Sequence, residues 1–148
     1  MAFREAGTQD IPRMHSVRLS VRENILSNPD LVTTADYERL LTTEGKGWLC
    51  ESDGEIVAFA VVDTVKNNIW ALFVHPDFEG RKIGYRLHNL MLNWFYKNST
   101  ATLWLSTDSG TRADQFYRKA GWTEVLRFAK NEVKFEMTYA DWQENGAQ

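Results

Sequence analysis

The segment from Ile69 to Leu92 places the tightest constraint on what this chain can fold into. It opens with an apolar run, Ile69-Trp70-Ala71-Leu72-Phe73-Val74, long enough for a strand and closed by His75-Pro76. The short loop Asp77-Phe78-Glu79-Gly80-Arg81-Lys82-Ile83-Gly84 follows. Ile83, Leu87, Leu90, Met91 and Trp94 then recur at helical spacing, which predicts a helix with one face against a core. A strand, a glycine-containing basic loop and a helix N-terminus together make an anion site. The first N–H groups of a helix have no internal partner, and the macrodipole puts about half a positive charge there. Gly80 and Gly84 permit close backbone approach, while Arg81 and Lys82 add positive charge to a chain whose net charge is −3. The expected ligand carries phosphate. Neither a P-loop (GxxxxGK followed by Ser or Thr) nor a GxGxxG dinucleotide fingerprint occurs in this segment.

What the segment resembles is the coenzyme A pyrophosphate loop of the GNAT superfamily of N-acetyltransferases. That family's pattern is V-x-P followed by Q/R-x-x-G-x-G/A on a strand–loop–helix. Val74-His75-Pro76 fits the first part, and Glu79-Gly80-Arg81-Lys82-Ile83-Gly84 fits the second with two departures. Glu79 stands where Gln or Arg is usual and would repel a pyrophosphate unless it points away. Lys82 replaces the middle glycine, and its Cβ disfavours positive φ. A second match lies downstream, after the apolar strand Ala101 to Ser106. Gly110 to Trp122 is similar to the family's N-x-x-A-x-x-F/L-Y-x-x-x-G-F/W segment, with Gly110 in place of Asn. Ala113, Phe116, Tyr117 and Ala120 fall at i, i+3, i+4 and i+7, and Gly121 sits where a helix C-cap is expected.

The remaining sequence agrees. The chain of 148 residues is expected to be a single domain, 1–148, burying roughly 70% of its unfolded surface. Its hydrophobic and charged fractions, 43% and 25%, are those of a soluble globular protein. No basic stripe outside the loop points to nucleic acid, and no apolar run reaches the roughly 18 residues of a membrane span. Arg4 and Glu5 interrupt any signal peptide, so the expected location is cytoplasmic. Cys50 is the sole cysteine and reads as a small core residue within a strand, and three scattered histidines make no metal cluster, so no metal is expected. Phe3-Arg4-Glu5 reads as a first strand, followed by a helix capped by Thr8 or Asp10 with Pro12 in its first turn and Met14, Val17 and Val21 on one face. Asn28-Pro29-Asp30 breaks the chain, and Thr34 caps a second helix carrying Tyr37, Leu40 and Leu41 that ends around Gly45 and Gly47. Trp48 to Ser52 and Glu55 to Val65 flank Asp53-Gly54, a strong hairpin signal, and Asn67-Asn68 offers the next turn. Thr123 to Phe128 and Val133 to Thr138 form the last strand pair. The order β-α-α-β-β-β-α-β-α-β-β is the GNAT order.

The resemblance implies an α/β (α+β) fold: a mixed, largely antiparallel central sheet, splayed between its fourth and fifth strands and flanked by about four helices. It implies acetyl-CoA as co-substrate, with pantetheine hydrogen-bonded to main chain near Leu72, Phe73 and Val74 and the pyrophosphate held by Glu79 to Gly84, with Gly110 also among the coenzyme positions. Pantetheine bears amides, so a strand edge can pair with it as with another strand. Tyr117 is implied as general acid toward the departing thiolate, against a reading as a core aromatic beside Phe116. Phe116 and Trp94 are expected to pack helices onto the sheet. For the general base, Glu51, Asp63, His75 and Asp108 are each candidates with an ordinary surface or loop role as alternative, and Glu23 could attract a cationic amine. The implied reaction is direct attack of a primary amine on the thioester, the acceptor being a small molecule or a peptide; a homodimer is left open. Two other readings stand beside it: a non-catalytic coenzyme A-binding sensor or partner domain, and a different α/β phosphate binder.

Overall fold

Asp53 and Gly54 adopt φ of 51° and 80°, the doubly positive combination that a two-residue hairpin turn demands. They join strands β2 (Gly45–Ser52) and β3 (Glu55–Asp63), which pair in antiparallel fashion. In the computed structural model, residues 1–26, 28, 31–128 and 131–145 are described. The break expected at Asn28-Pro29-Asp30 therefore falls partly outside the described residues. The chain divides into two compact units, Met1–Met91 and Leu92–Gln148, and the boundary falls inside a helix.

The first unit adds β1 (Ala2–Glu5) and β4 (Asn68–Val74) to that hairpin, giving an antiparallel meander β1-β2-β3-β4. Helices α1 (Ile11–Ser20) and α2 (Thr34–Thr42) cover one face, where Met14, Val17, Tyr37, Leu40, Leu49 and Phe59 form a buried core. β2 begins at Gly45, earlier than the sequence suggests, so Gly45 and Gly47 are strand residues rather than a helix terminus. The reason is close backbone approach: a Cβ at Gly45 would lie 2.2 Å from the Val62 carbonyl oxygen and 2.7 Å from that of Leu40. β3 ends at Asp63, short of the expected Val65, and the next turn runs from Thr64 to Asn67, the last with φ of 55°, so Asn68 already belongs to β4. Thr33, not Thr34, caps α2, its hydroxyl accepting from Asp36 N–H while the Asp36 carboxylate accepts from Thr33 N–H. Opposite α1 and α2 lies the other sheet face, where Phe3, Cys50, Ala58 and Val74 align across the strands. Cys50 is fully buried, as its strand flanks suggested.

Asp10 does not cap α1 with its side chain. Its fully buried carboxylate instead accepts from Arg4 Nη1 and Nη2 at 2.9 and 2.8 Å and from Gly7 N–H at 2.8 Å, tying β1 to the start of α1. A bidentate guanidinium beats a cap of the following N–H groups because both carboxylate oxygens are satisfied at once.

Helix α3 (Ile83–Asn98) buries Ile83, Leu87 and Met91 as the spacing predicts, but Leu90 is exposed and Trp94 only half-buried. His88, Leu92, Phe95 and Tyr96 are buried instead. The apolar arc of α3 is wide, and the spacing alone picked out one of its edges.

The second unit pairs β5 (Leu103–Asp108), β7 (Glu132–Met137) and β6 (Thr123–Phe128) in antiparallel order β5-β7-β6, with α4 (Arg112–Lys119) before β6. A fifth helix, α5 (Tyr139–Asn145), follows β7 and was not anticipated. Its start is a Thr138–Asp141 pair: Asp141 N–H donates to the Thr138 hydroxyl at 3.0 Å, and Thr138 N–H to the Asp141 carboxylate at 3.3 Å. Trp142 stacks on Tyr96 with ring centroids 5.2 Å apart, which gives this short helix its anchor. Phe116 is half-buried rather than core, while Tyr117 and Trp122 are buried.

The Arg4 guanidinium holds the Asp10 carboxyl below its ordinary pKa. A depressed folded pKa contributes stability that is present above the unfolded value and lost as pH falls through the folded one. Asp10→Asn should therefore lower stability at pH 7 by about 1–3 kcal/mol, Arg4 being partly exposed. It should also flatten the loss of stability below about pH 4. Urea melts of both proteins across pH 2.5–7 check this.

Candidate functional site

At the end of β4 the chain turns through His75 and a short 3-10 segment, Pro76–Phe78. His75 N–H donates to the Val57 carbonyl at 2.8 Å, and the Asp77 N–H donates to His75 Nδ1 at 3.1 Å, so this imidazole braces the turn. Phe78 N–H closes on the His75 carbonyl at 2.9 Å. The Arg81 guanidinium lies over the Phe78 ring, 4.9 Å from its centroid. Then comes the feature that bears on anions. Gly80 has φ of 77° and Lys82 of 63°, while Arg81 and the helical Ile83 are negative. Alternating signs of φ turn successive N–H groups toward a common side, a backbone concavity that binds anions. Lys82 closes it as the residue before α3, its carbonyl accepting from Arg86 N–H at 3.1 Å. A lysine side chain has no acceptor, so it cannot cap the N–H groups of Ile83, Gly84 and Tyr85. The Cβ conflict expected at Lys82 is real: a non-glycine residue in the left-handed region costs about 1–2 kcal/mol.

The other loop positions suit that geometry. A Cβ on Gly80 would meet nothing within 4 Å, so glycine is there for its φ and not for space. One on Gly84 would lie 3.5 Å from the Val74 side chain, in ordinary contact, which seats the first turn of α3 on the end of β4. Glu79 is extended, with its side chain exposed. In β4, Leu72, Phe73 and Val74 pair with Ala60, Phe59 and Ala58. In an antiparallel pair alternate residues bond the partner strand, and those between them direct their N–H and C=O to the opposite edge.

In the second unit, Gly110 takes φ of 78° before α4, and its N–H donates to the buried Asp114 carboxylate at 2.7 Å. That leaves the Gly110 carbonyl as the main-chain group free of this bond. The Asp114 carboxylate also accepts from Arg118 Nε at 2.7 Å, and Thr111 caps the helix. Tyr117 sits on the inner face of α4, against Trp122 and Phe135 at ring distances of 5.5 and 6.2 Å. Burial pushes its phenol pKa well above the ordinary tyrosine value, so it stays protonated at neutral pH.

Sequence reasoning passed over a third feature, in the first unit. A cavity of about 210 Å³ opens between α1, α2 and the sheet, lined by Arg18, Leu26, Val32, Tyr37, Phe59, Trp70, Ala71 and Phe73. A bulge between Val61 and Val62 shifts the β4 register, so that Trp70 packs on the same face as Ala71 and Phe73. The Arg18 guanidinium lies 4.1 Å above the Phe73 ring. The Tyr37 hydroxyl is hydrogen-bonded to His15 Nδ1 at 3.0 Å, and burial raises its pKa to about 12. Helical spacing marks Met14, Val17 and Val21 but says nothing of a charged residue whose stem runs beneath the helix.

The candidate bases are dispersed. Glu51 pairs with Arg4, and Asp63 accepts from Val65 and Lys66 N–H at 2.9 Å each, shaping the β3–β4 turn. His75 braces its own loop, and Glu23 and Asp108 are exposed. None of them lines the cavity. No group of three potential metal ligands, and no helix long and apolar enough to cross a membrane, occurs among the described residues.

A family model described as the acetyltransferase (GNAT) family matches residues 13–122, which span the cavity, the β4 loop and the Tyr117 helix. The chain belongs to the GNAT acetyltransferase family. Solved structures agree on the fold. The PaiA N-acetyltransferase of Thermoplasma acidophilum, solved in complex with coenzyme A, superposes with a TM-score of 0.78 at 15% identity, covering 93% of this chain and 98% of that one. The ribosomal-protein-S18-alanine N-acetyltransferase of Escherichia coli gives 0.75 at 15% identity over 93% of each chain. A GNAT-family acetyltransferase from Staphylococcus aureus Mu50 gives 0.79 at 18% identity over 93% and 98%. At these identities the likeness is one of fold: a mixed α/β GNAT fold with a mostly antiparallel sheet. No curated protein sequence matches the chain significantly.

Lys82→Gly, which restores the family's glycine, should relieve the left-handed strain. A gain of about 0.5–1 kcal/mol is expected in urea unfolding, the glycine's greater unfolded-state freedom offsetting part of the relief. An unchanged or lower midpoint would mean that Lys82 is held in place by something worth more than its strain.

Proposed function

We propose that this GNAT protein moves an acetyl group from acetyl-CoA to a primary amine by direct attack within a ternary complex. The observation that carries the reading is the alternating-φ turn from Gly80 to Ile83 at the start of α3, in a chain of this family. Its N–H groups, with those of Gly84 and the helix dipole, suit a pyrophosphate. Arg81 and Lys82 add charge, and the exposed Glu79 can turn away. The main chain of Leu72, Phe73 and Val74 suits pairing with the amides of pantetheine. That a fold neighbour was solved with coenzyme A supports the same ligand here. A single buried cysteine suits a cytoplasmic setting.

In the reaction the amine nitrogen forms a bond to the thioester carbonyl carbon, and the C–S bond breaks with its electron pair going to sulfur. Strand N–H groups stabilise the oxyanion between these events. The amine's proton must leave, and the Tyr37–His15 pair offers it a route from the cavity wall to an imidazole. Tyr117 is the proposed donor to the thiolate. A thiol sits near about 8.5 on the pKa scale, well below this buried phenol. Tyr117 therefore acts by hydrogen bonding to the departing sulfur more than by giving up its proton.

Gly84→Asp adds a carboxylate where the backbone meets phosphate and should abolish measurable acetyl-CoA binding in calorimetry while the fold persists; unchanged affinity would remove the loop from the site. Tyr117→Phe keeps the aromatic packing and should leave coenzyme affinity nearly unchanged. Its single-turnover acetyl transfer should slow, by up to the roughly 10²–10⁴-fold typical of a positioned acid. Equal single-turnover rates would return Tyr117 to a packing role.

A further inference from the structure

Arg18, half-buried, brings a cationic side chain to the wall of the cavity under α1 and α2. Nη1 of Arg18 is inaccessible to solvent and has no hydrogen-bond partner among the described residues, although arginine stays charged in proteins. Burial lowers its pKa, the direction expected of a cation short of compensation. The face of Phe73 lies 4.1 Å from it, which attracts the cation but cannot accept a planar N–H bond. Leaving a buried guanidinium N–H unsatisfied is costly. Because Arg18 lines the cavity, an anionic group seated there would compensate the cation.

We propose that the acetyl acceptor is a small amino carboxylic acid with an apolar or aromatic side group, its carboxylate held by Arg18 and its side group by Tyr37, Phe59 and Trp70. This inference rests on the acetyl-transfer reading above. Three observations define the ligand. The guanidinium offers the planar fork that a carboxylate matches. Around it the wall is aromatic and aliphatic, with no second cation among the described residues, which disfavours a dianion such as a phosphate. The volume, about 210 Å³, falls below the roughly 300–1,000 Å³ of pockets for drug-sized molecules, yet exceeds the roughly 150 Å³ that takes benzene. A ring or branched alkyl group with a carboxylate fits, and a peptide segment does not. Phe73, beneath the guanidinium, is also the middle residue of the main-chain stretch proposed for pantetheine, so an anchored carboxylate brings its amine to the end of β4 where the thioester would lie.

The test compares L-phenylalanine and L-leucine with 2-phenylethylamine, isoamylamine and L-phenylalaninamide as acceptors, read by free-thiol release from acetyl-CoA. Wild type, Arg18→Gln and Arg18→Lys are assayed as full chains, with acetyl-CoA binding followed by calorimetry. Thermal shift with 3-phenylpropionate, which has the carboxylate but no amine, gives a readout independent of turnover. The expected result is kcat/KM higher for the amino acids than for their counterparts without a carboxylate by on the order of 10–100-fold. That preference should vanish in Arg18→Gln and return in part in Arg18→Lys, with acetyl-CoA affinity unchanged in both. 3-Phenylpropionate should raise the wild-type Tm and leave that of Arg18→Gln unmoved. Acetyl-CoA binding together with equal use of amines and amino acids, or with no 3-phenylpropionate shift in wild type, overturns the carboxylate assignment and leaves the transfer reading intact. No acetyl-CoA binding to wild type overturns the transfer reading itself.

Discussion

Everything proposed for this protein depends on a few backbone N–H groups pointing the same way. The turn from Gly80 to Ile83 alternates the sign of φ, and it does so although one of its left-handed positions is a lysine. Strain of this kind persists only where the surroundings over-determine it, and it concentrates where a ligand must be met. The surroundings are visible: the His75 brace, the Phe78 N–H bond to the His75 carbonyl, and the Gly84–Val74 seat together fix where α3 starts. The proposed anion site is thus a by-product of how β4 hands over to α3.

The two sites proposed in the first unit would divide binding from selectivity. In the proposed reading, main chain at the β4–α3 junction would treat any coenzyme A thioester alike, because backbone carries no side-chain identity. The cavity under α1 and α2 does carry identity, in Arg18, Tyr37 and the aromatic residues of β3 and β4. One small irregularity links the two: the bulge opposite Val61 and Val62 turns Trp70 to the cavity face while Leu72 to Val74 continue in register toward the loop.

The sequence made the strand–loop–helix segment and the Asp53-Gly54 hairpin legible because both are local: each depends on residues within a few positions of one another. The GNAT resemblance extended that reading to element order, and the strands came out nearly as expected. What was missed depended on contacts distant in sequence. Gly45 looks like a helix terminus until the approach of Val62 and Leu40 is seen. Asp10 looks like a cap until Arg4 reaches its carboxylate. Leu90 belongs to the periodic set of α3, yet the buried arc is centred toward His88 and Phe95. Arg18 reads as an ordinary helix cation, and only the packing of α1 over Phe73 buries its nitrogen. The fifth helix had a legible signal, Thr138 with Asp141 three positions on, but its length of 7 residues gives little periodicity to support it.

The central claim is that main-chain N–H groups at the start of α3 receive a pyrophosphate, and titration of the isotopically labelled protein with coenzyme A, followed by amide NMR, tests it directly. The amide protons of Arg81 to Gly84 should move downfield together and saturate at one coenzyme per chain, as charge-assisted hydrogen bonds form. Saturable binding that shifts amides elsewhere and leaves those of residues 80–84 unmoved would contradict the account.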